Sequence, residues 1–227
     1  NYPDALETKA YSAFVASNAS RTPVVYVGAN DGMLHAFNST NGQELLAYVP
    51  TGVYNRLSQL TDPAYSHEYY VDGTPTVGDA FINNNWATVV ATPLRTGAQG
   101  LFALDVTSPS TFTEANANNI VLWEFTDQDD ADVGFVVGRI SIVRMANGKW
   151  AAVFGNGYNN SEADGNASTT GHAVLYILYI EDGDDGTWAA TDFVKIDTEQ
   201  GSVATPNGLS SPSPIDVNGD AIVDYIY

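Results

Sequence analysis

The residues best equipped for chemistry lie near the end of the chain, in D-V-N-G-D-A-I-V-D (216–224). Asp216, Asn218, Asp220 and Asp224 stand at positions 1, 3, 5 and 9 of a short loop, and the backbone carbonyl of Ile222 supplies position 7. Ca²⁺ takes about 6–8 hard oxygen ligands at roughly 2.3–2.6 Å, a radius that alternate residues of a tight turn can reach together. Three carboxylates within nine residues repel one another without a cation, and an ordinary Asp/Asn/Gly turn, the competing reading, has no need of them. The expectation is therefore a calcium site at Asp216, Asn218, Asp220, Ile222 and Asp224. It is not an EF-hand. Position 12 is Tyr227 where a bidentate Glu belongs, and position 6 is Ala221 where a Gly makes the sharp turn. Ile215, Val217, Ile222, Val223, Tyr225 and Ile226 surround the acids, so the loop belongs to apolar strands and not to a solvated tail.

The elements around this loop repeat. W-A-T-V-V-A-T (86–92), G-L-F-A-L-D (100–105) and V-L-W-E-F (121–125) read as strands joined by Gly-bearing turns. So do V-V-Y-V-G (24–28), L-H-A-F (34–37) and 44–49, then W-A-A-V-F-G (150–155) and A-V-L-Y-I-L-Y-I (173–180). Starts at Val24, Thr88 and Ala151 are 64 and 63 residues apart, and Tyr225 opens a further copy 74 residues on. A preceding strand recurs as well, at 74–81, 138–145 and 213–217. The calcium loop occupies the hairpin position that the two earlier copies fill with ordinary turns, Asn83–Asn85 and Asn147–Gly148.

Several strands repeating at this period predict an all-β β-propeller with long inserted loops. About three to four blades fit in this chain, and its stop in mid-strand fits a piece of a larger ring. A β-sandwich with coincidental spacing is the alternative. Residues 1–22 read as a lead-in carrying a short N-terminal helix within 9–18, with 23–227 as the propeller part.

Composition narrows the function. The 227 residues are 44% hydrophobic, which suits a globular chain, and the rich supply of Tyr and Gly favours strands and turns. A net charge of -19 with only 8 Lys+Arg excludes the cationic footprint of nucleic-acid binding and electrostatic docking on anionic lipid, and suits a cation-rich, extracellular setting. No Cys is present, so thiol chemistry and disulfides play no part. No apolar run reaches the roughly 18 residues of a membrane span. No signal peptide is recognisable, which leaves a cytosolic chain, a mature one or a piece of something longer open.

Six motifs then carry a resemblance through essentially the whole chain. V-V-Y-V-G-A-N-D-G-M-L-H-A-F (24–37), V-D-G-T-P-T-V-G-D-A (71–80), G-L-F-A-L-D-V-T (100–107), V-L-W-E-F (121–125), G-K-W-A-A-V-F-G-N-G-Y (148–158) and D-V-N-G-D-A-I-V-D-Y-I-Y (216–227) resemble, in order, the C-terminal β-propeller of the PilY family. These are bacterial type IV pilus biogenesis factors and tip-associated adhesins. The resemblance implies a modified propeller whose calcium positions fall on Asp216, Asn218, Asp220, Ile222 and Asp224. It also implies roles in pilus extension and retraction, surface adhesion and twitching motility. Export through the periplasm to the cell surface and pilus tip, minor pilins as partners and a host or abiotic surface receptor follow from the same likeness. Asn218 and Ala221 depart from the family's loop, and fewer charges imply weaker affinity, in the micromolar-to-millimolar range of tuned loops.

Two other functions compete. One is a quinoprotein-like dehydrogenase, whose propellers also read as strand–Asp–Gly units; the adjacent cysteines common in such enzymes are absent and no catalytic cluster is visible. The other is a glycan-binding propeller. Two further acidic stretches, 127–132 (D-Q-D-D-A-D) and 182–185 (D-G-D-D), read as solvated turns or second cation sites. The polar loop 156–171 is a candidate for partner or glycan contact. His35 reads as a packed strand residue, while His67 and His172 stand far from it in sequence. Asp31 and Asp105 read as turn acids. The N-x-S/T sequons at Asn18, Asn38, Asn159 and Asn166 read as products of Asn/Ser-rich turns.

Overall fold

The computed structural model describes residues 1–162 and 165–227 and is built from four antiparallel sheets in chain order. The first joins β1 (Val24–Gly28), β2 (Leu34–Asn38) and β3 (Glu44–Tyr48). The second joins β4 (Thr76–Ile82), β5 (Asn85–Pro93), β6 (Gly100–Asp105) and β7 (Val121–Thr126). The third joins β8 (Ser141–Arg144), β9 (Trp150–Gly155), β10 (His172–Tyr179) and β11 (Phe193–Gly201). The fourth is the hairpin of β12 (Pro214–Ile215) and β13 (Tyr225–Ile226). Each strand pairs with its sequence neighbour, the meander expected of propeller blades. Four sheets, not two, exclude the sandwich.

The apolar runs explain the stacking. A strand with one buried face alternates apolar and polar; one buried on both faces is apolar throughout. In β5, Val89 and Ala91 pack toward the third sheet while Val90, between them, packs toward the first. In β9, Ala152 and Phe154 join the layer shared with the second sheet, and Ala151 and Val153 face the final hairpin through Ile226. Every internal sheet is thus glued to both neighbours. The inner strands β4 and β8 approach closely because Gly78 has no side chain: a Cβ there would stand 3.1 Å from the Cβ of Ile142.

The first sheet has no counterpart of β4 and β8 among the described residues. Its edge strand β1 alternates in burial, with Val25 and Val27 on the exposed face.

The predicted helix is α1 (Tyr11–Ser17). The stretch around it is bound to the blades. Tyr2 stacks on Trp86 with ring centroids 5.4 Å apart and meets Trp150 edge-on at 5.0 Å. The indole N–H of Trp86 donates to the carbonyl of Lys9, and that of Trp150 donates to Glu7, which also pairs with Arg144 at 2.6 Å. Trp86 is the second residue of β5 and Trp150 the first of β9, so one segment fastens two blades at nearly equivalent positions.

Several elements lie outside the sequence reading, among them short 3-10 turns at Arg95–Gly97, Pro109–Thr111 and Glu114–Asn116. β11 is mostly exposed and carries K-I-D-T-E-Q, which hides its pattern. A 3-10 helix, Thr51–Thr61, follows β3, and α2 (Ala117–Ile120) precedes β7. The strand expected at 213–217 is shorter, Pro214–Ile215, and the copy opened by Tyr225 is the two residues Tyr225–Ile226.

Candidate functional site

The loop 216–224 joins β12 to β13. Pro214 pairs with Ile226 and Ile215 with Tyr225, and Asp224 N donates to Ile215 O at 2.9 Å to close the hairpin. Val223 N donates to Arg144 O at 2.9 Å, which ties the loop to the end of β8. The site residues are therefore held at the junction of the last two sheets.

Inside the loop the acids organise the backbone. Asp216 accepts from Gly219 N (2.7 Å), Asp220 N (3.3 Å) and Ala221 N (2.7 Å). Asn218 accepts from Asp220 N at 2.9 Å and donates to Asp220 Oδ2 at 3.1 Å. Asp220 Oδ1 accepts from Ile222 N at 2.9 Å, and Asp224 Oδ2 from Val217 N at 2.8 Å. Burial works against the charged form of Asp216, but the N–H groups of Ala221, Gly219, Asp220 and Asn218 outweigh it and hold its carboxyl below the ordinary value. A carboxylate oxygen has about two lone pairs, so accepting one N–H leaves capacity for another ligand.

Ala221 takes φ +68°, in the left-handed region, and Gly219 takes φ +79°. The sharp turn that an EF-hand makes with Gly at position 6 is made here by an alanine. This conformation costs a non-glycine residue on the order of 1–2 kcal/mol.

The donor set fits a hard cation in kind: three carboxylates, one amide oxygen and the Ile222 carbonyl, on a backbone already turned as such loops require. All four acidic and amide side chains are exposed and none forms a salt bridge among the described residues. Nor do any three Asp, Glu or His side chains among the described residues stand together closely enough to hold a metal as placed. The acids are turned onto their own loop, and gathering them inward requires side-chain rotation.

The other acidic stretches are built differently. The 127–132 turn is not solvated: Asp127 and Asp132 are buried. The Lys195 ammonium lies 2.7 Å from Asp130 and 2.6 Å from Asp132. Tyr176 OH donates to Asp130 at 2.9 Å, and Ser168 and Thr170 donate to Asp132. Burial acts to lower the Lys195 value, but bonds to both aspartates raise it overall. At 182–185, Lys149 pairs with Asp182 and Asn83 donates to Asp184 at 3.1 Å. A side-chain amine thus already stands at each of these turns. The Asp130–Lys195 pairing spans 65 residues, a separation at which no local spacing pattern signals contact.

His35 bridges two carboxylates, Glu44 at 2.5 Å and Asp31 at 2.9 Å, and stacks on Phe37. Burial opposes its charge, yet the two acids raise its value above the ordinary one. His172 pairs with Asp197 at 3.0 Å, and His67 lies edge-on to Tyr69. Asp31 and Asp105 cap turns, accepting from Met33 N and Thr107 N. The loop 156–171 folds back on the third sheet through Asn156 and Asn160, which donate to His172 O. Ala163 and Asp164 within it lie outside the described residues.

A family model, the PilY1 beta-propeller domain, matches residues 4–227. The chain belongs to this family. A PilY1 homologue of Xylella fastidiosa, a type IV pilus biogenesis factor, is 42% identical over 225 residues, 98% of this chain and 14% of that protein. PilY1 of Pseudomonas aeruginosa is 42% identical over 220 residues, 96% of this chain and 17% of its own length. The crystal structure of the Pseudomonas aeruginosa PilY1 C-terminal domain superposes with a TM-score of 0.72 at 39% identity, over 96% of this chain and 38% of that one. The chain therefore spans less than a fifth of the curated relatives it matches. No helix among the described residues is long and apolar enough to cross a membrane.

Proposed function

We propose that this chain is the calcium-binding part of the propeller of a type IV pilus biogenesis factor, non-enzymatic and displayed at the pilus tip on the cell surface. The proposal gives the propeller a role in pilus assembly, surface adhesion and twitching motility, with minor pilins as its partners and a host or abiotic surface as its target. Family membership supports the pilus setting. The observation that carries the calcium reading is the left-handed turn at Ala221 in a loop of three exposed, unpaired carboxylates. Asp216, Asn218, Asp220, Asp224 and the Ile222 carbonyl would hold the ion. Bound there, Ca²⁺ supplies positive charge between carboxylates that otherwise repel. The chain itself holds the hairpin through Asp224 N on Ile215 O, and anchors it to β8 through Val223 N on Arg144 O.

A thermal-denaturation titration with CaCl₂ tests this. Binding to the folded state alone adds about 2.7 kcal/mol at a hundredfold excess over Kd. The rise is expected in the natural chain and absent in Asp220→Ala. A flat response of the natural chain at millimolar Ca²⁺ would sink the reading. A quinone-dependent dye-reduction assay showing turnover would instead favour the dehydrogenase alternative.

A further inference from the structure

The peptide unit between Ile222 and Val223 faces two ways. Its carbonyl is the one main-chain oxygen among the groups proposed to hold calcium, and it accepts no hydrogen bond among the described residues. Its N–H donates to Arg144 O at 2.9 Å. A peptide unit is planar, and in the trans form its C=O and N–H point in opposite directions. No cis peptide bond occurs among the described residues. The bond to Arg144 therefore sets the direction of the Ile222 oxygen, away from β8. Since β8 pairs only with β9, this bond uses its open edge.

Arg144 is itself held from the other end of the chain. Strand side chains alternate between the two faces. Val143 and Met145 lie in the apolar layer that Ile226 of the final hairpin joins, whereas the Arg144 side chain runs the other way, to the lead-in segment. Its Nε donates to Glu7 Oε1 at 2.6 Å, and its guanidinium reaches the Leu6 carbonyl at 3.5 Å. The same Glu7 oxygen accepts from the Trp150 indole N–H at 2.9 Å. Trp150 in turn pairs with Arg144 across the β8–β9 ladder.

The ion pair is largely buried, with side-chain exposures of 14% for Arg144 and 11% for Glu7. Charges in such a place are little screened by salt, and linked hydrogen bonds polarise one another. Glu7, Arg144 and the 222–223 peptide thus form one unbroken line of contacts from the lead-in to the acidic loop. Moving Glu7 moves the end of β8 on which the Ile222 carbonyl depends.

We propose that Glu7 is a positioning residue for the calcium loop, so that calcium occupancy and the docking of residues 1–17 are coupled through Arg144. The proposal rests on the calcium reading of the loop. Such coupling is reciprocal: the factor by which the docked lead-in raises calcium affinity is the factor by which calcium favours docking.

Titration calorimetry with CaCl₂, amide hydrogen exchange and indole N–H NMR signals of the 227-residue chain test it. Glu7→Gln keeps an acceptor for Arg144 and Trp150 but removes the charge, and is expected to weaken calcium binding severalfold. Glu7→Ala removes both and is expected to weaken it about tenfold. Tyr48→Phe, which cuts the Tyr48–Glu124 bond between the first two sheets, is expected to leave the affinity unchanged. In the natural chain, saturating calcium is expected to slow exchange at Leu6 and in α1 and to shift the Trp150 indole signal. The indoles of Trp123 and Trp188, which donate to Ile180 O and Glu124 O, are expected to stay in place. Should Glu7→Ala not fold, Glu7→Gln and the natural chain carry the test. Unchanged affinity in the Glu7 variants, or bound calcium that alters neither lead-in exchange nor the Trp150 indole, would overturn the coupling and leave the calcium site standing. No binding by the natural chain would overturn the calcium reading and the coupling with it.

Discussion

The turn at 127–132 and the loop at 216–224 are made of the same material and solve the same problem differently. Each gathers several aspartates beside an antiparallel strand. In the first, the chain brings its own cation: Lys195 reaches in from β11 and touches Asp130 and Asp132. Like charges packed together in a partly buried place need such a partner. In the second, no amine arrives among the described residues, and the acids turn onto the loop's own N–H groups. The difference separates a closed, internally neutralised turn from one whose charge remains open to solvent. We read the first as structure and the second as a place for an external ion.

Lys195 carries the contrast between the two acidic turns. Lys195→Met leaves Asp130 and Asp132 without their amine while Tyr176 and Ser168 still hold them. The pair is partly exposed, so the expected loss is about 2–3 kcal/mol, below the 3–5 typical of full burial. Urea denaturation measures it. Millimolar Ca²⁺ is expected to restore part of that loss, because removing the amine turns a closed site into an open one. A Lys195→Met chain as stable as the natural one would remove the distinction.

A smaller change sharpens it from the other side. Ala221→Gly relieves the left-handed strain at φ +68°. It is expected to stabilise the chain by about 1 kcal/mol and to leave calcium affinity within about twofold, because the turn is made before the ion binds. Titration calorimetry of the two chains checks this; a destabilised variant would contradict the backbone argument.

Asp31, His35 and Glu44 form an intermediate case, in which the counter-ion titrates. The folded His35 value lies above 6.5, so its bonds contribute fully below the unfolded value and are lost as pH rises through the folded one. His35→Gln is expected to lower the melting temperature by a few degrees near about pH 5.5 and to have little effect above about pH 8.5. A pH-independent difference would show that stacking on Phe37, not charge, is what the residue supplies.

Much of the fold was legible because both-face burial writes itself into the chain. W-A-A-V-F-G alternates between two apolar layers, so every residue reports the strand. β11 faces solvent and reports little. The metal-site expectation came from local spacing, which a nine-residue loop retains. Lys195 leaves no such local signal, because its meaning depends on a partner 65 residues away in sequence. Ala221 was legible as a departure from the EF-hand pattern, whereas only the backbone shows that it still makes the turn.

On this reading the 216–224 loop takes an external ion and the lysine-filled turns do not. Equilibrium dialysis against radioactive calcium counts ions directly. One ion per chain is expected at millimolar Ca²⁺, none in Asp220→Ala/Asp224→Ala, and one in Asp130→Asn. No bound ion in the natural chain, or one retained after both loop aspartates are removed, would contradict it.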